Sequence, residues 1–141
     1  RELGAVTALV TANPQAELAL AADHLLAVNT GPEAITGSTR LKAGTAQKLV
    51  LNAFSTAVMI RLGRTWSNLM VDVVATNAKL RERAVRMVAE LTGADIDTSR
   101  RTMDEAGHIK LAVIMLERSV GRAEAQATLD RAGGNLRKAL A

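Results

Sequence analysis

Two short apolar runs near the start of the chain constrain its fold more than any other feature. Ala5-Val6-Thr7-Ala8-Leu9-Val10-Thr11 is rich in β-branched residues and is closed by Asn13-Pro14, so it reads as a buried parallel strand. His24-Leu25-Leu26-Ala27-Val28, stopped by Asn29-Thr30-Gly31-Pro32, reads as a second. Between them, Gln15 to Ala22 is predicted to be a short helix with Pro14 near its start. Strand, helix, strand is the repeating unit of a parallel sheet, and such a sheet needs covering helices. Two strands do not complete one, so further strands are expected from upstream sequence or another chain. The chain opens on Arg1 rather than Met, and Glu2-Leu3-Gly4 reads as a helix tail ended by glycine. Both features fit a start inside a domain.

Downstream the pattern turns helical. Gly31 to Ser38 is a polar loop, and a long helix is predicted from about Thr39 to Leu62, ended by Gly63. Ala46, Leu49, Val50, Ala53, Ala57 and Ile60 share one face of it. Leu51, Phe54, Val58 and Met59 widen that stripe, so burial on most sides is expected. Residues 64–76 fit helix or extended chain equally. From Asn77 an amphipathic helix runs to about Leu91, with Leu80, Ala84, Met87, Val88 and Leu91 on its apolar face, Asn77 as N-cap and Gly93 as stop. The tail holds a near-repeat. Thr102-Met103-Asp104-Glu105-Ala106-Gly107 matches Thr128-Leu129-Asp130-Arg131-Ala132-Gly133, and after a one-residue offset Ile109-Lys110-Leu111-Ala112 matches Leu136-Arg137-Lys138-Ala139. Each copy reads as helix, glycine break, helix, and two such hairpins pack as a small bundle. A domain boundary is expected near residue 94.

Composition narrows the function. With 48% hydrophobic residues the chain is no disordered segment, yet Phe54 and Trp66 are its only aromatics, so the core must be aliphatic. The absence of cysteine removes disulfides and thiolate metal sites and fits a reducing compartment. No signal peptide or run of about eighteen apolar residues is seen, so a cytoplasmic chain without a membrane span is expected. The net charge of +4 is scattered among acids along helices, and stacking aromatics are missing, which argues against nucleic-acid binding. The same balance suits a phosphorylated metabolite.

The chemically loaded stretch is Gly31 to Lys48, between a strand end and a helix start, where open α/β sheets bind ligands. A helix start offers free N–H groups and a positive dipole end to an anion. Gly37 permits close backbone approach, Thr36, Ser38 and Thr39 add hydroxyls, and Arg40, Lys42 and Lys48 add charge. On residue chemistry alone an ordinary helix cap explains the stretch slightly better than an anion site. Neither the Walker A spacing nor G-x-G-x-x-G is present.

The string GPEAITGSTRLKAGTAQKLVLN, residues 31–52, closely resembles the signature of the N-acetylmuramic acid 6-phosphate etherases. These belong to the sugar isomerase (SIS) fold superfamily, of which the glucokinase regulatory protein is a relative. The resemblance continues through Asn68-Leu69-Met70-Val71-Asp72-Val73, Asn77-Ala78-Lys79-Leu80 and Gly107-His108-Ile109-Lys110-Leu111-Ala112-Val113-Ile114-Met115 to the Gly133–Leu140 copy, covering essentially the whole chain. It implies the C-terminal part of a SIS-type three-layer αβα sandwich with a parallel sheet over residues 1–93, then a small helical UBA-like lid domain over 94–141.

It also implies a lyase that cleaves the lactyl ether of N-acetylmuramic acid 6-phosphate to N-acetylglucosamine 6-phosphate and D-lactate. The setting would be cell-wall sugar recycling, in a homodimer, without metal or organic cofactor. The family's catalytic glutamates and first phosphate loop lie upstream of the part matched. No residue here is therefore assigned a catalytic role, and the chain alone is expected to be inactive. Glu33, Gly37, Ser38, Thr39, Lys42 and Lys110 are the candidate substrate contacts. Glu33 equally fits a loop carboxylate that fixes the turn after it, and Lys110, at the start of a tail helix, more simply a solvated lysine. His24 reads as a partly buried structural residue, and His108 as an exposed turn residue. Asn68, Asp72 and Asn77 read as caps or dimer contacts, and the five methionines as core. Two further readings are a non-catalytic sugar-phosphate-binding regulator and a helical interaction module built on residues 94–141.

Overall fold

The computed structural model describes residues 3–141, so the expected helix tail at Glu2-Leu3-Gly4 falls partly outside the described residues. The chain is mixed α/β and divides into two compact units, Arg1–Ala57 and Val58–Ala141.

In the first unit, strands β1 (Ala8–Thr11) and β2 (His24–Ala27) pair in parallel, with Ala8 opposite His24 and Thr11 opposite Ala27. Both are shorter than the apolar runs that encode them. The connection is a 3₁₀ helix, Glu17–Ala21, lying within the short helix expected over Gln15 to Ala22. The Asp23 carboxylate accepts from both the backbone N–H and the hydroxyl of Thr7, each at 2.8 Å, which clasps the two strand starts together. Helix α1 (Lys42–Arg61) is joined to β1 by Gln47 Nε2 donating to the Val10 carbonyl at 3.4 Å.

Burial departs from expectation here. Every residue of β2, His24 included, is exposed, and α1 buries only Ala43 among its side chains. Leu49 and Phe54 of α1 are 62% and 67% exposed. The apolar pattern is as the sequence has it. What is missing is surface to cover it, because among the described residues the unit contains only two strands and one turn besides α1.

The second unit has a true core. The ambiguous residues 64–76 hold a hairpin of β3 (Thr65–Trp66) and β4 (Leu69–Met70), turned at Ser67 with φ +51°. Helix α2 (Ala78–Thr92) starts where the Asn77 side chain accepts from Leu80 N–H and stops at left-handed Gly93, as its sequence signals require. Then come α3 (Ile96–Ala106), α4 (Ile109–Arg118), α5 (Arg122–Arg131) and α6 (Leu136–Leu140), which are the two helix–glycine–helix copies of the near-repeat. Helix α4 packs on α2, α3, α5 and α6, and every residue from Ile109 to Met115 is buried. Apart from Lys110 that stretch is apolar all round, and such a helix belongs at the centre of a bundle. α2 shares this core through Ala84, Val85, Met87 and Val88. Helix α6 seats on the hairpin: the Arg137 guanidinium lies 4.8 Å from the Trp66 ring centroid, and Asn135 lies against Gly63.

Gly63 and Gly93 both adopt φ near +70°. A Cβ at Gly93 meets open space, whereas one at Gly63 falls 2.5 Å from the amide nitrogen of Asn135, a side chain held as the cap of α6. Gly93→Ala is expected to cost about 1 kcal/mol for left-handed backbone alone. Gly63→Ala is expected to cost clearly more, read as the larger drop in urea midpoint. Equal losses would show that Asn135 gives way freely.

Candidate functional site

The Gly31–Lys48 segment folds as a tight, internally bonded loop. Asn29 Oδ1 accepts from Gly31 N–H at 3.0 Å, and Gly31 and Gly37 take φ +64° and +78°. Ser38 N–H donates to the Ile35 carbonyl and Leu41 N–H to the Ser38 carbonyl, at 3.0 and 3.1 Å, forming a turn that leads into α1.

The start of α1 differs from expectation. Glu33 reaches back across the loop, and its carboxylate accepts from Lys42 N–H at 2.9 Å and Ala43 N–H at 3.0 Å. Gly44 N–H donates to the Thr39 carbonyl at 2.8 Å. The N–H groups that a bound anion was expected to use are therefore already satisfied, two of them by the protein's own carboxylate. Those bonds, from Ala43 first and Lys42 second, hold the Glu33 carboxyl below its ordinary value. A carboxylate fixed in its ionised form by two backbone donors is a cap and makes a poor proton carrier.

What remains open to a ligand is side-chain chemistry. Among the described residues the hydroxyls of Thr36, Ser38 and Thr39 make no hydrogen bond within the protein, and Arg40, Lys42 and Lys48 are exposed. The Lys42 ammonium lies close to Gly31, so it sits over the loop. Gly37, Ser38, Thr39 and Lys42 thus belong to one local surface together with Glu33.

Lys110 lies in the other unit, in different surroundings. Its side chain is only 5% exposed, and Nζ sits 3.0 Å from Asp72 Oδ1 while donating to the Gly134 carbonyl at 2.8 Å. The expected solvated lysine is replaced by a buried ion pair. Asp72 also faces His108 Nε2 and Arg64 Nε, each at 3.4 Å. His108 is likewise no exposed turn residue. It caps α4 through Nδ1, which accepts from Lys110 N–H at 3.2 Å, and this assigns the ring proton to Nε2, facing Asp72. Asp72, His108 and Lys110 line a cavity of about 420 Å³ with Arg122 and Gln126.

Asp72, which the sequence presents only as a cap or dimer contact, is the hub of this cluster. The signal was present only as one acid among apolar neighbours. Asn77 is the cap it was read to be. Among the described residues no cluster of His, Cys, Asp or Glu is arranged to hold a metal. Among the same residues no helix is long and apolar enough to cross a membrane.

Removing one partner of a largely buried pair strands the other charge. Asp72→Asn is expected to cost about 3 kcal/mol, while Asp72→Asn combined with Lys110→Met recovers much of that loss because no buried charge is left unpaired. Denaturant titration of both variants and of Lys110→Met reads this out. Simple additivity would mean that the pair is not coupled.

Acid is expected to act in two steps. Burial lowers the His108 pKa below its ordinary 6.5, opposed by Asp72 and aided by Lys110. The unfolded chain then takes up a proton that the folded chain refuses, so stability falls as pH drops below about 6.5. For Asp72, burial works upward but is outweighed by the Lys110 hydrogen bond and by the charges of Lys110, His108 and Arg64, leaving it below 3.8. Its contribution is present above that value and is lost as pH falls through the folded pKa. Urea midpoints from pH 8 to 3 should show both steps, and His108→Gln should remove the first. A first step unchanged in His108→Gln would exclude the imidazole as its source.

No family model matches the chain. It is 48% identical over 141 residues to the N-acetylmuramic acid 6-phosphate etherase of Bacillus subtilis (strain 168), a match covering 99% of this chain and 46% of that protein. It is 52% identical to the enzyme of that name from Exiguobacterium sp., with 99% and 48% covered, and 53% identical over 137 residues to that from Klebsiella aerogenes, with 96% and 46% covered. The chain spans about half the length of the curated relatives it matches. Identity near 50% along 96–99% of the chain places it in the N-acetylmuramic acid 6-phosphate etherase family, as a match to about half of such a protein.

Proposed function

We propose that this chain serves in a lyase acting on N-acetylmuramic acid 6-phosphate, cleaving its lactyl ether to N-acetylglucosamine 6-phosphate and D-lactate in cell-wall sugar recycling. The observation that carries this reading is identity near 50% along 99% of the chain to proteins bearing that name. The reaction removes a proton at C2 and protonates the departing ether oxygen, and water then adds. It therefore needs a base and an acid, and two carboxyl groups can serve as both when their environments set their pKa values apart. The two best-placed acids here are already engaged, Glu33 as the cap of α1 and Asp72 by Lys110, Arg64 and the His108 ring. The chain's share of the work is binding: Gly37, Ser38, Thr39 and Lys42 receive the sugar phosphate at the loop, with Glu33 shaping that loop.

Lys110 acts from the tail as a positioning group, since both acceptors of its ammonium belong to the protein. Residues 1–93 complete a SIS-type αβα sandwich, residues 94–141 act as a UBA-like lid, and the protein works as a cytoplasmic homodimer. No cofactor enters this chemistry.

Calorimetric titration with N-acetylglucosamine 6-phosphate is expected to show saturable binding that Ser38→Ala weakens about tenfold or more, on the order of 1.4 kcal/mol. Incubation of the chain with N-acetylmuramic acid 6-phosphate is expected to release no lactate. Binding indifferent to Ser38→Ala would remove the loop from the site. Lactate release by this chain alone would place the acid and base within it.

A further inference from the structure

The tail contains a cationic concavity that the etherase reading leaves unused. A cavity of about 510 Å³ opens where α4, α5 and α6 come together, lined by Arg118, Thr128, Arg131, Gly133 and Lys138, and no Asp or Glu lines it. None of the three cations is in an ion pair among the described residues. Arg131 Nη2 donates to Thr128 Oγ1 at 3.1 Å, which steers the guanidinium. The adjacent acid, Asp130, is engaged elsewhere, accepting from Gln126 Nε2 at 2.8 Å.

Like charges facing one concavity repel each other. Helix C-terminal carbonyls offset part of this, because Arg118 and Arg131 stand in the last turns of α4 and α5. The dipole does not explain the contrast between the two repeat copies. Thr128 and Gly133 match Thr102 and Gly107 of the first copy, but Arg131 stands where that copy has Glu105, and Lys138 where it has the buried Leu111. On one scaffold, the second copy has exchanged an acid and an apolar residue for two cations, and both exchanges fall on the lining of one cavity. The chain's whole net charge of +4 resides in residues 58–141, since acids and bases balance in residues 1–57.

We propose that this concavity is a binding site for a phosphate-type dianion, separate from the Gly31–Lys48 loop. Arg131 and Arg118 offer planar forks that match phosphate oxygens, Lys138 a point charge and Thr128 a hydroxyl. Free phosphate and the phosphate group of a small metabolite share this chemistry.

The test is a residue-resolved NMR titration of the full chain with inorganic phosphate, with sodium chloride at matched ionic strength as reference, repeated with N-acetylglucosamine 6-phosphate. The amides of Ala132, Gly133 and Ala139 are expected to shift saturably with phosphate and not with chloride. Arg131→Glu is expected to weaken binding at least tenfold and Lys138→Leu severalfold, the second standing as an independent check should the first disturb the helix. Saturation by phosphate alone makes the free ion sufficient, and saturation by the sugar phosphate only assigns an ester; both support the site. Shifts that follow chloride equally, or variants that bind as the unaltered chain does, overturn it.

Discussion

One buried ammonium group organises the folded core of this chain. Lys110 enters the bundle at the first turn of α4, a helix buried along Ile109–Met115. Its charge is tolerable there only because Asp72 comes in from the segment after the hairpin and Gly134 from the second glycine break. The contact therefore joins three pieces far apart in sequence: the end of the hairpin, the start of α4 and the turn before α6. His108 adds to it, capping α4 with one ring nitrogen and facing Asp72 with the other. Leu136 and Ala139 of a five-residue α6 can be core residues because that turn is tied down.

What was legible in the sequence follows from the range of the interactions involved. Helix α2 could be read because its cap, stripe and glycine stop all lie within one helix. The glycine breaks of the tail were visible for the same reason, since left-handed backbone at Gly107 and Gly133 is a local demand. The parallel pairing of β1 with β2 followed from their spacing. The hairpin was illegible because two residues per strand carry no period. The Asp72–Lys110 pair could not be seen because nothing in either residue's neighbourhood names a partner 38 positions away. Burial of α1 and β2 was overstated for a different reason: an apolar stripe shows which face would be covered, never whether a cover exists.

The candidate loop teaches a similar lesson. Hydroxyls, glycines and a helix start were all present in sequence and are all present in space. Glu33, however, was open to two readings, and the structure shows it accepting from the first N–H groups of α1. The loop is thereby braced by its own carboxylate. In the proposed function, Ser38, Thr39 and Lys42 are the side chains that would hold a sugar phosphate there, and the ionised Glu33 would favour ligands whose hydroxyls can donate to it over bare ions.

The two tail copies show how one motif was put to two uses. Their register differs by one residue, and the extra position falls at the Gly133-Gly134 break, where φ is positive at both residues. That additional residue turns the Gly134 carbonyl toward Lys110. The matching cations of the two copies, Lys110 and Arg137, both dock on the hairpin segment, one against Asp72 and the other over Trp66. One position further on, the copies part: Leu111 goes into the core while Lys138 faces the cavity. The buried stretch of α4 admits one charge, Lys110, and only because it is paired with Asp72, whereas α6 leaves Arg137 and Lys138 exposed. The difference in burial between α4 and α6 accounts for Lys138 standing where the first copy has Leu111, whereas Glu105 and Arg131 are both exposed, so burial does not account for that exchange.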